Sequence, residues 1–317
     1  MKLVVTGGAG YIGSVVTSQL LDAGHEVTVV DDLSTGHRDA VPSGAGFVQA
    51  RVHDAADFLD PQVEGVLHFA AKSLVGESVE KPEIYWENNV VGSYALLEAV
   101  RAHGIERFVF SSTAACYGEP DVSPITEDVT PAPINPYGHS KFAVDMLLTG
   151  YAAAHGLGAT SLRYFNVGGA RGAFGERHAI ETHLIPNLLK VPAGQRERAA
   201  VFGTDYATKD GTAVRDYLHV VDLGRAHLLA LETSEPGRHR IFNLGSGNGY
   251  SVKEVLDACR EVTGHEIPAD EHPRRAGDPT TLVASSARAR EQLGWVPELG
   301  LREIVSDAWA FMQESGR

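Results

Sequence analysis

The sequence predicts an α/β protein: a doubly wound parallel sheet followed by a smaller mixed α/β C-terminal lobe. Three observations carry that prediction. Short valine-rich runs alternate with helix-periodic segments from the first residue onward, and such alternation implies a parallel sheet covered on both faces. A glycine-rich turn, Thr6-Gly7-Gly8-Ala9-Gly10-Tyr11-Ile12-Gly13, separates the first strand from the first helix. An acidic pair, Asp31-Asp32, closes the second strand.

Lys2–Thr6 reads as the first strand. Ile12, Val16 and Leu20 then recur at helical spacing, and Gly24 follows as a stop. Glu26–Val30, Gly46–Gln49 and Gly65–Phe69 read as the next strands, and Glu83–His103 as one helix closed by Gly104. Arg107–Ser112 is a further buried strand. Pro136–His155 is helical, and Gly158–Tyr164 returns to strand. The first domain is expected at residues 1–165 and the second lobe at 166–317. Within the latter, 216–231 looks like a strand and helix that rejoin the first domain.

With 317 residues and 43% hydrophobic composition the chain can bury a large core, and 21% charged residues fit a globular protein. A net charge of −14 argues against nucleic-acid binding. The two cysteines, Cys116 and Cys259, form no metal-ligand pattern. The histidines lack helix-face spacing such as His-x-x-x-His, so no metal site is expected. The N-terminal apolar run ends in glycines and reads as a strand rather than a leader. No stretch approaches the roughly 20 apolar residues of a membrane span. A cytoplasmic protein without a membrane partner is the expectation.

Gly7, Gly10 and Gly13 lie three apart. Glycines there let the turn tighten and the backbone approach a pyrophosphate, which the following helix N-terminus attracts. An acid at the end of the second strand accepts hydrogen bonds from the adenosine ribose hydroxyls and repels a 2′-phosphate, so NAD is the expected cofactor. Tyr137 and Lys141 are four apart, hence on one helix face. A cation beside a phenol lowers its pKa and suits it as a general base. Alone, such spacing describes many solvated helix faces; its weight comes from the company it keeps.

The glycine turn and the Tyr-x-x-x-Lys pair together resemble the extended short-chain dehydrogenase/reductase family, whose first domain is of the Rossmann type. Further runs are similar to its UDP-galactose 4-epimerase (UDP-glucose 4-epimerase) branch. They are His68-Phe69-Ala70-Ala71, Val75-Gly76-Glu77-Ser78, Asn88-Asn89-Val90, Ser111-Ser112-Thr113-Ala114-Ala115-Cys116-Tyr117-Gly118 and Arg163-Tyr164-Phe165-Asn166. In the second half, Phe202-Gly203-Thr204-Asp205-Tyr206 and Asp210-Gly211-Thr212-Ala213-Val214-Arg215-Asp216-Tyr217 match too, as does Arg274-Arg275-Ala276-Gly277-Asp278.

The resemblance implies Tyr137 as catalytic base, Lys141 as its electrostatic partner and Thr113 as a proton relay. It implies hydride transfer from C4 of UDP-glucose or UDP-galactose to NAD and back to the other face. Cofactor contacts are implied at Gly7, Gly10, Tyr11, Ile12, Gly13, Asp31, Asp32, Leu33, Ser34, Thr35, Gly36, Val52, Phe69, Ala70, Ala71, Asn88, Ser111, Ser112, Tyr137, Lys141 and Tyr164, with Lys72 in the same loop. Substrate contacts are implied at Thr113, Asn166, His183, Leu184, Phe202, Arg215, Tyr217, Arg275, Asp278 and Leu282. Apolar outer positions at Val90, Leu97, Met146 and Leu147 would, by resemblance, pair two subunits into a homodimer.

One departure from the pattern is clear. The family has Gly-Asp-Ile-Arg-Asp after the third strand, where this chain reads Ala50-Arg51-Val52-His53-Asp54. Arg51 cannot accept the adenine amino proton that an acid would. Leu282 stands where the family gates N-acetylated sugars, so UDP-GlcNAc is expected to be a poor substrate. The resemblance leaves a UDP-xylose/arabinose or UDP-glucuronate epimerase open. A 4,6-dehydratase would carry Thr-Asp-Glu where this chain has Ser112-Thr113-Ala114. An NAD-sensing regulator would typically lose the Tyr–Lys pair.

Overall fold

A computed structural model gives the fold, described for residues 1–275 and 278–314. Ala276 and Gly277 of the matched Arg-Arg-Ala-Gly-Asp run lie outside the described residues, as do residues 315–317 of the second lobe. The first half runs β1 (Lys2–Thr6), α1 (Tyr11–Asp22), β2 (Glu26–Asp31), β3 (Gly46–Gln49), α2 (Ala55–Phe58), β4 (Gly65–His68), α3 (Val75–Glu80), α4 (Pro82–Tyr85), α5 (Gly92–Ala102), β5 (Arg107–Ser111), α6 (Pro136–His155) and β6 (Gly158–Tyr164). The second half runs β7 (Asn166–Gly168), α7 (Leu184–Leu189), β8 (Ala199–Phe202), β9 (Val214–Arg215), β10 (Tyr217–His219), α8 (Val220–Glu232) and β11 (His239–Leu244). It closes with β12 (Tyr250–Ser251), α9 (Val252–Thr263), β13 (Ala269–His272), β14 (Thr281–Leu282), α10 (Ala287–Leu293) and α11 (Leu301–Glu314).

Seven parallel strands form one sheet in the order β11-β6-β5-β4-β1-β2-β3, a doubly wound Rossmann-type arrangement. The order reverses between β1 and β4, and a crevice at the carboxyl ends of strands opens at such a switch point. The middle of the sheet is apolar on both faces. One face packs Leu3, Val5, Val16 and Leu20 against Leu223, Ala226 and Leu231 of α8. The other packs Val4, Val66, Phe108 and Phe110 against Leu96, Leu97, Val144 and Leu148.

Two departures from the sequence reading matter for the site. First, Glu83–His103 is not one regular helix: Trp86–Val91 forms a π-helical turn between α4 and α5. Asn88 and Asn89 sit in that turn, and asparagine is a poor residue for a helix interior because its amide competes with the backbone. Second, β11 lies within the expected second lobe yet is the seventh strand of the central sheet, paired with β6 from His239↔Ala159 to Leu244↔Tyr164. Helix α8 packs on α1, where Gln19 Nε2 donates to the Val221 carbonyl at 3.0 Å. A Cβ at Gly224 would stand 1.6 Å from Gln19 Oε1, so a larger residue would have to displace that side chain and its hydrogen bond. The rest of the second lobe has its own core of Ile185, Leu188, Val201, Tyr217, Val255, Ile267 and Ile304.

Helix α6 has punctuation at both ends that the sequence explains. Asn135 caps it by accepting from the Gly138 N–H at 2.9 Å, Pro136 occupies the first turn, and Gly156 closes it in a left-handed conformation. Its inner face carries Asp145, whose Oδ2 accepts from Arg163 Nε at 3.0 Å and Nη2 at 2.8 Å. Both side chains are 2% exposed, and the guanidinium lies over the Tyr117 ring at 5.0 Å. Removing one partner would leave an uncompensated buried charge. We expect Arg163→Met to cost about 3–5 kcal/mol in urea unfolding, and Arg163→Met with Asp145→Leu to recover most of that loss. A double variant less stable than the single one would contradict this.

Candidate active site

The glycine turn is shaped by close approach. Gly7 has φ +74°, and a Cβ there would stand 2.5 Å from the Ala70 amide nitrogen; at Gly13 it would stand 2.3 Å from the Gly7 carbonyl oxygen. Gly10 caps α1, leaving the first-turn N–H groups at Tyr11 and Ile12 aimed at the crevice. Asp31 is buried at the end of β2, where its carboxylate accepts from the Ala9 N–H at 3.0 Å and the Leu33 N–H at 2.9 Å. Burial raises its pKa, and the two backbone donors pull the other way. The loop beyond is tight. Leu33 adopts φ +60°, a Cβ on Gly36 would meet Asp31 Oδ1 at 2.7 Å, and Asp32 accepts from the Ser34 N–H at 2.8 Å. Ser34 and Thr35 are exposed; Lys72 Nζ reaches Ser34 Oγ at 3.3 Å. This turn, so tight that a Cβ at Gly7 or Gly13 would collide with neighbouring backbone, fits a dinucleotide diphosphate at the helix N-terminus, and the acid fits an unphosphorylated ribose.

Phe69 and Ala70 both donate backbone N–H groups to the Thr6 carbonyl, at 2.9 and 3.1 Å, so the end of β4 and Ala71 beyond it border the turn. Val52 is half-buried, while Arg51 is 55% exposed and turned to Glu87 at 3.9 Å. Asn88 hydrogen-bonds its neighbour Asn89 at 3.1 Å. Asn89, which the sequence reading did not single out, is the buried organiser of this corner. Its Oδ1 accepts from the Lys72 N–H at 2.8 Å, and its Nδ2 donates to the Lys72 carbonyl and to Ser140 Oγ, each at 3.0 Å. A doublet of asparagines within a helical run was the available signal.

Thr113, Tyr137 and Lys141 converge at the ends of β5 and α6. A Cβ on Gly138 would lie 2.6 Å from the Ala115 carbonyl, so glycine lets α6 start against the turn that follows Thr113. Lys141 is 4% exposed; its Nζ donates to the Ser111 carbonyl at 2.8 Å and lies 4.6 Å from the Phe110 ring centroid. Burial lowers its pKa to about 8. Tyr137 corrects the sequence reading. Burial, reinforced by nearby Tyr164, raises its pKa above the ordinary phenol value, and the hydrogen bond with Thr113 only partly offsets this. The desolvation of a phenolate therefore outweighs the neighbouring cation in the isolated chain. Ser111 Oγ and Tyr164 Oη are 2.5 Å apart, and Ser112 is fully buried.

On the substrate side, Arg215 and Asp278 form an ion pair, and Arg275 lies 4.0 Å over the Phe202 ring, itself stacked on His272. Leu282 is registered beside Arg215 in a parallel pair. Asn166 donates to the Asp216 carbonyl at 3.0 Å, leaving its own amide oxygen unused by that bond. Tyr217, on the neighbouring strand β10, is 6% exposed and packs against the second-lobe core. Asp216 beside it was missed. Fully buried, its carboxylate accepts from the N–H groups of Ser246, Gly247 and Ala284, which knots β10 to the loops after β11 and β14.

His183 caps α7 ahead of Leu184, and its Nδ1 lies 2.7 Å from Glu176 and 2.8 Å from Glu181. Burial alone would lower its pKa; the two carboxylates outweigh that and raise it to about 10. Tyr11, at the other side of the crevice, donates to the Gly169 carbonyl at 2.6 Å and so joins the two halves.

The family model described as NAD dependent epimerase/dehydratase family matches residues 3–245. The UDP-glucose 4-epimerase of Corynebacterium glutamicum is 60% identical over 319 residues, covering 100% of this chain and 97% of that protein. A crystal structure of a UDP-glucose 4-epimerase superposes with a TM-score of 0.95 at 49% identity, covering 99% of this chain and 98% of its own. The Bifidobacterium longum UDP-glucose 4-epimerase, solved in complex with NAD+ and UDP, superposes at 0.92 with 34% identity, covering 99% and 98%. With its glycine cradle, strand-end acid and Thr–Tyr–Lys cluster, the chain belongs to the NAD dependent epimerase/dehydratase family. No helix among the described residues is long and apolar enough to cross a membrane.

The state of Lys141 yields a pH prediction. A lysine whose folded pKa is depressed binds fewer protons folded than unfolded between about 8 and 10.5, so stability rises with pH across that window. Relative to Lys141→Met, the wild-type cofactor-free protein should gain stability from pH 8 upward, at a slope approaching about 1.4 kcal/mol per pH unit. Parallel stability curves for the two proteins would contradict the burial of a titrating ammonium.

Proposed function

We propose that the protein interconverts UDP-galactose and UDP-glucose by NAD-dependent inversion at C4. The observation that carries the reading is the joint position of Thr113, Tyr137 and Lys141 beside the glycine cradle, facing an arginine-bearing second lobe. NAD, when bound, supplies a reversible hydride acceptor and carries a positively charged ring. Gly7, Gly10, Gly13 and the α1 N-terminus hold its diphosphate, and Asp31 its adenosine ribose. Tyr137 receives the proton of the sugar 4-hydroxyl at Oη, directly or through the Thr113 hydroxyl, which both donates and accepts. Burial keeps Tyr137 protonated in the isolated chain, so the phenol becomes a base only when positive charge enters the pocket. Lys141, held on the Ser111 carbonyl, keeps an ammonium beside it at neutral pH.

Inversion needs the sugar ring to present both faces, so the firm grip falls on the UDP. Arg215 and Arg275 supply forked donors for phosphate oxygens, with Asp278 and Phe202 at the nucleoside end. Asn166, His183 and Leu184 border the space between. Leu282 narrows the pocket beside Arg215, which favours hexoses over N-acetylated sugars.

The subunit contact is part of the same proposal, with its residues revised. Leu97 is fully buried in the first-domain core and so is not available, while Leu147 and Val90 are half-buried. Met146 is 61% exposed; Trp86, Val91 and Tyr94 of the π-helical turn and α5 are exposed as well. These support a helical homodimer face, which sedimentation as a monomer at micromolar concentration would contradict.

The test of the activity is direct. Protein purified without added cofactor should carry NAD and convert UDP-galactose to UDP-glucose with no external NAD. UDP-GlcNAc should turn over at least about tenfold more slowly. Retained NAD without conversion would overturn the proposed reaction, and equal turnover of UDP-GlcNAc the role of Leu282.

A further inference from the structure

The segment between β7 and α7 holds a cluster of which the proposed reaction uses only His183, and that as a wall of the substrate space. Glu176, His178, Glu181 and His183 each direct one ligand atom to a common centre, all within 4.8 Å of one another. The carboxylates of Glu176 and Glu181 are 8% and 5% exposed, whereas the imidazoles of His178 and His183 are 32% and 44% exposed. Two buried anions thus form the floor, and two imidazoles form a rim open to solvent. The rings of His178 and His183 lie 5.4 Å apart, and His178 Nδ1 is 2.9 Å from Glu176.

We propose that these four side chains form a binding site for one divalent transition-metal ion of the Zn²⁺ type. Two imidazole nitrogens and two carboxylate oxygens suit Zn²⁺ better than Mg²⁺ or Ca²⁺, which favour all-oxygen shells. Two carboxylates balance the ion's charge. Tetrahedral ligands about 2.1 Å from zinc are about 3.4 Å apart, so the three short contacts of 2.7–2.9 Å would open while the wider pairs, up to 4.8 Å, would close around the ion. The sequence spacing Glu-x-His-x-x-Glu-x-His escapes a search for helix-face histidines because the segment from 176 to 183 is irregular.

The position gives such an ion a structural consequence. Arg177, between two of the ligands, pairs with Asp39 at 2.8 Å, and its carbonyl lies 3.1 Å from His37 Nε2. His183 begins α7. An ion at the cluster would clip the loop after Asp31 to the start of the helix that carries Leu184, across the crevice between the lobes. This inference stands apart from the epimerase reading, since it concerns metal uptake and not turnover.

The test uses full-length protein stripped with a chelator and titrated with Zn²⁺ by calorimetry, with Co²⁺ as a spectroscopic probe. The expected result is saturable uptake of one equivalent, with the visible bands of four-coordinate Co²⁺. Glu176→Gln and His178→Ala should each bind Zn²⁺ at least about tenfold more weakly. His178 is partly exposed, so its variant decides the matter even if Glu176→Gln unfolds. No saturable uptake, or unchanged affinity in His178→Ala, would overturn the site.

Discussion

Lys141 is a cation almost without solvent, and the active end of the fold is built around giving it partners. Its ammonium has the Ser111 carbonyl on one side and the Phe110 ring on another. Both belong to β5, so the lysine ties α6 to the strand whose end bears Thr113. Helix α6 can sit there because Gly138 allows backbone contact with Ala115, and because Asn135 fixes where the helix begins. One turn further along, Asp145 is anchored to Arg163 of the neighbouring strand β6. The phenol of Tyr137 is placed by these constraints rather than by any bond that holds it directly to Lys141.

Burial has a second consequence for chemistry. It raises the phenol pKa and lowers that of the ammonium, so the isolated site stores a neutral acid beside a weakened cation. The phenol therefore stays protonated in the isolated chain, and the proposed base requires positive charge brought by a ligand. His68 is handled differently: fully enclosed between Thr6 and Ser93, it is held neutral by burial, with its pKa lowered to about 3. Its role is to brace β4 and α5 behind the crevice.

Much of the fold was legible because its elements obey local rules. The bounds of α6 follow from Asn-Pro at one end and glycine at the other, and the first strands are uninterrupted apolar runs. The π-helical turn was not legible, since helix periodicity does not report an inserted residue; the Asn88-Asn89 doublet was the trace it left. Strand β11 was missed because His239-Arg240-Ile241-Phe242 has polar residues where a central strand would be apolar, and it lies at the sheet's edge. At the site, glycines and Tyr–Lys spacing were readable from sequence. Asn89 and Asp216 were not, because both act through backbone groups distant in sequence.

The central claim is that Tyr137 exchanges the proton of the substrate's 4-hydroxyl. Turnover of UDP-galactose by Tyr137→Phe, measured together with its bound NAD and its affinity for UDP, tests this most directly. The variant should retain both ligands and lose at least about a hundredfold in kcat. Near wild-type turnover with the phenol oxygen gone would contradict the account.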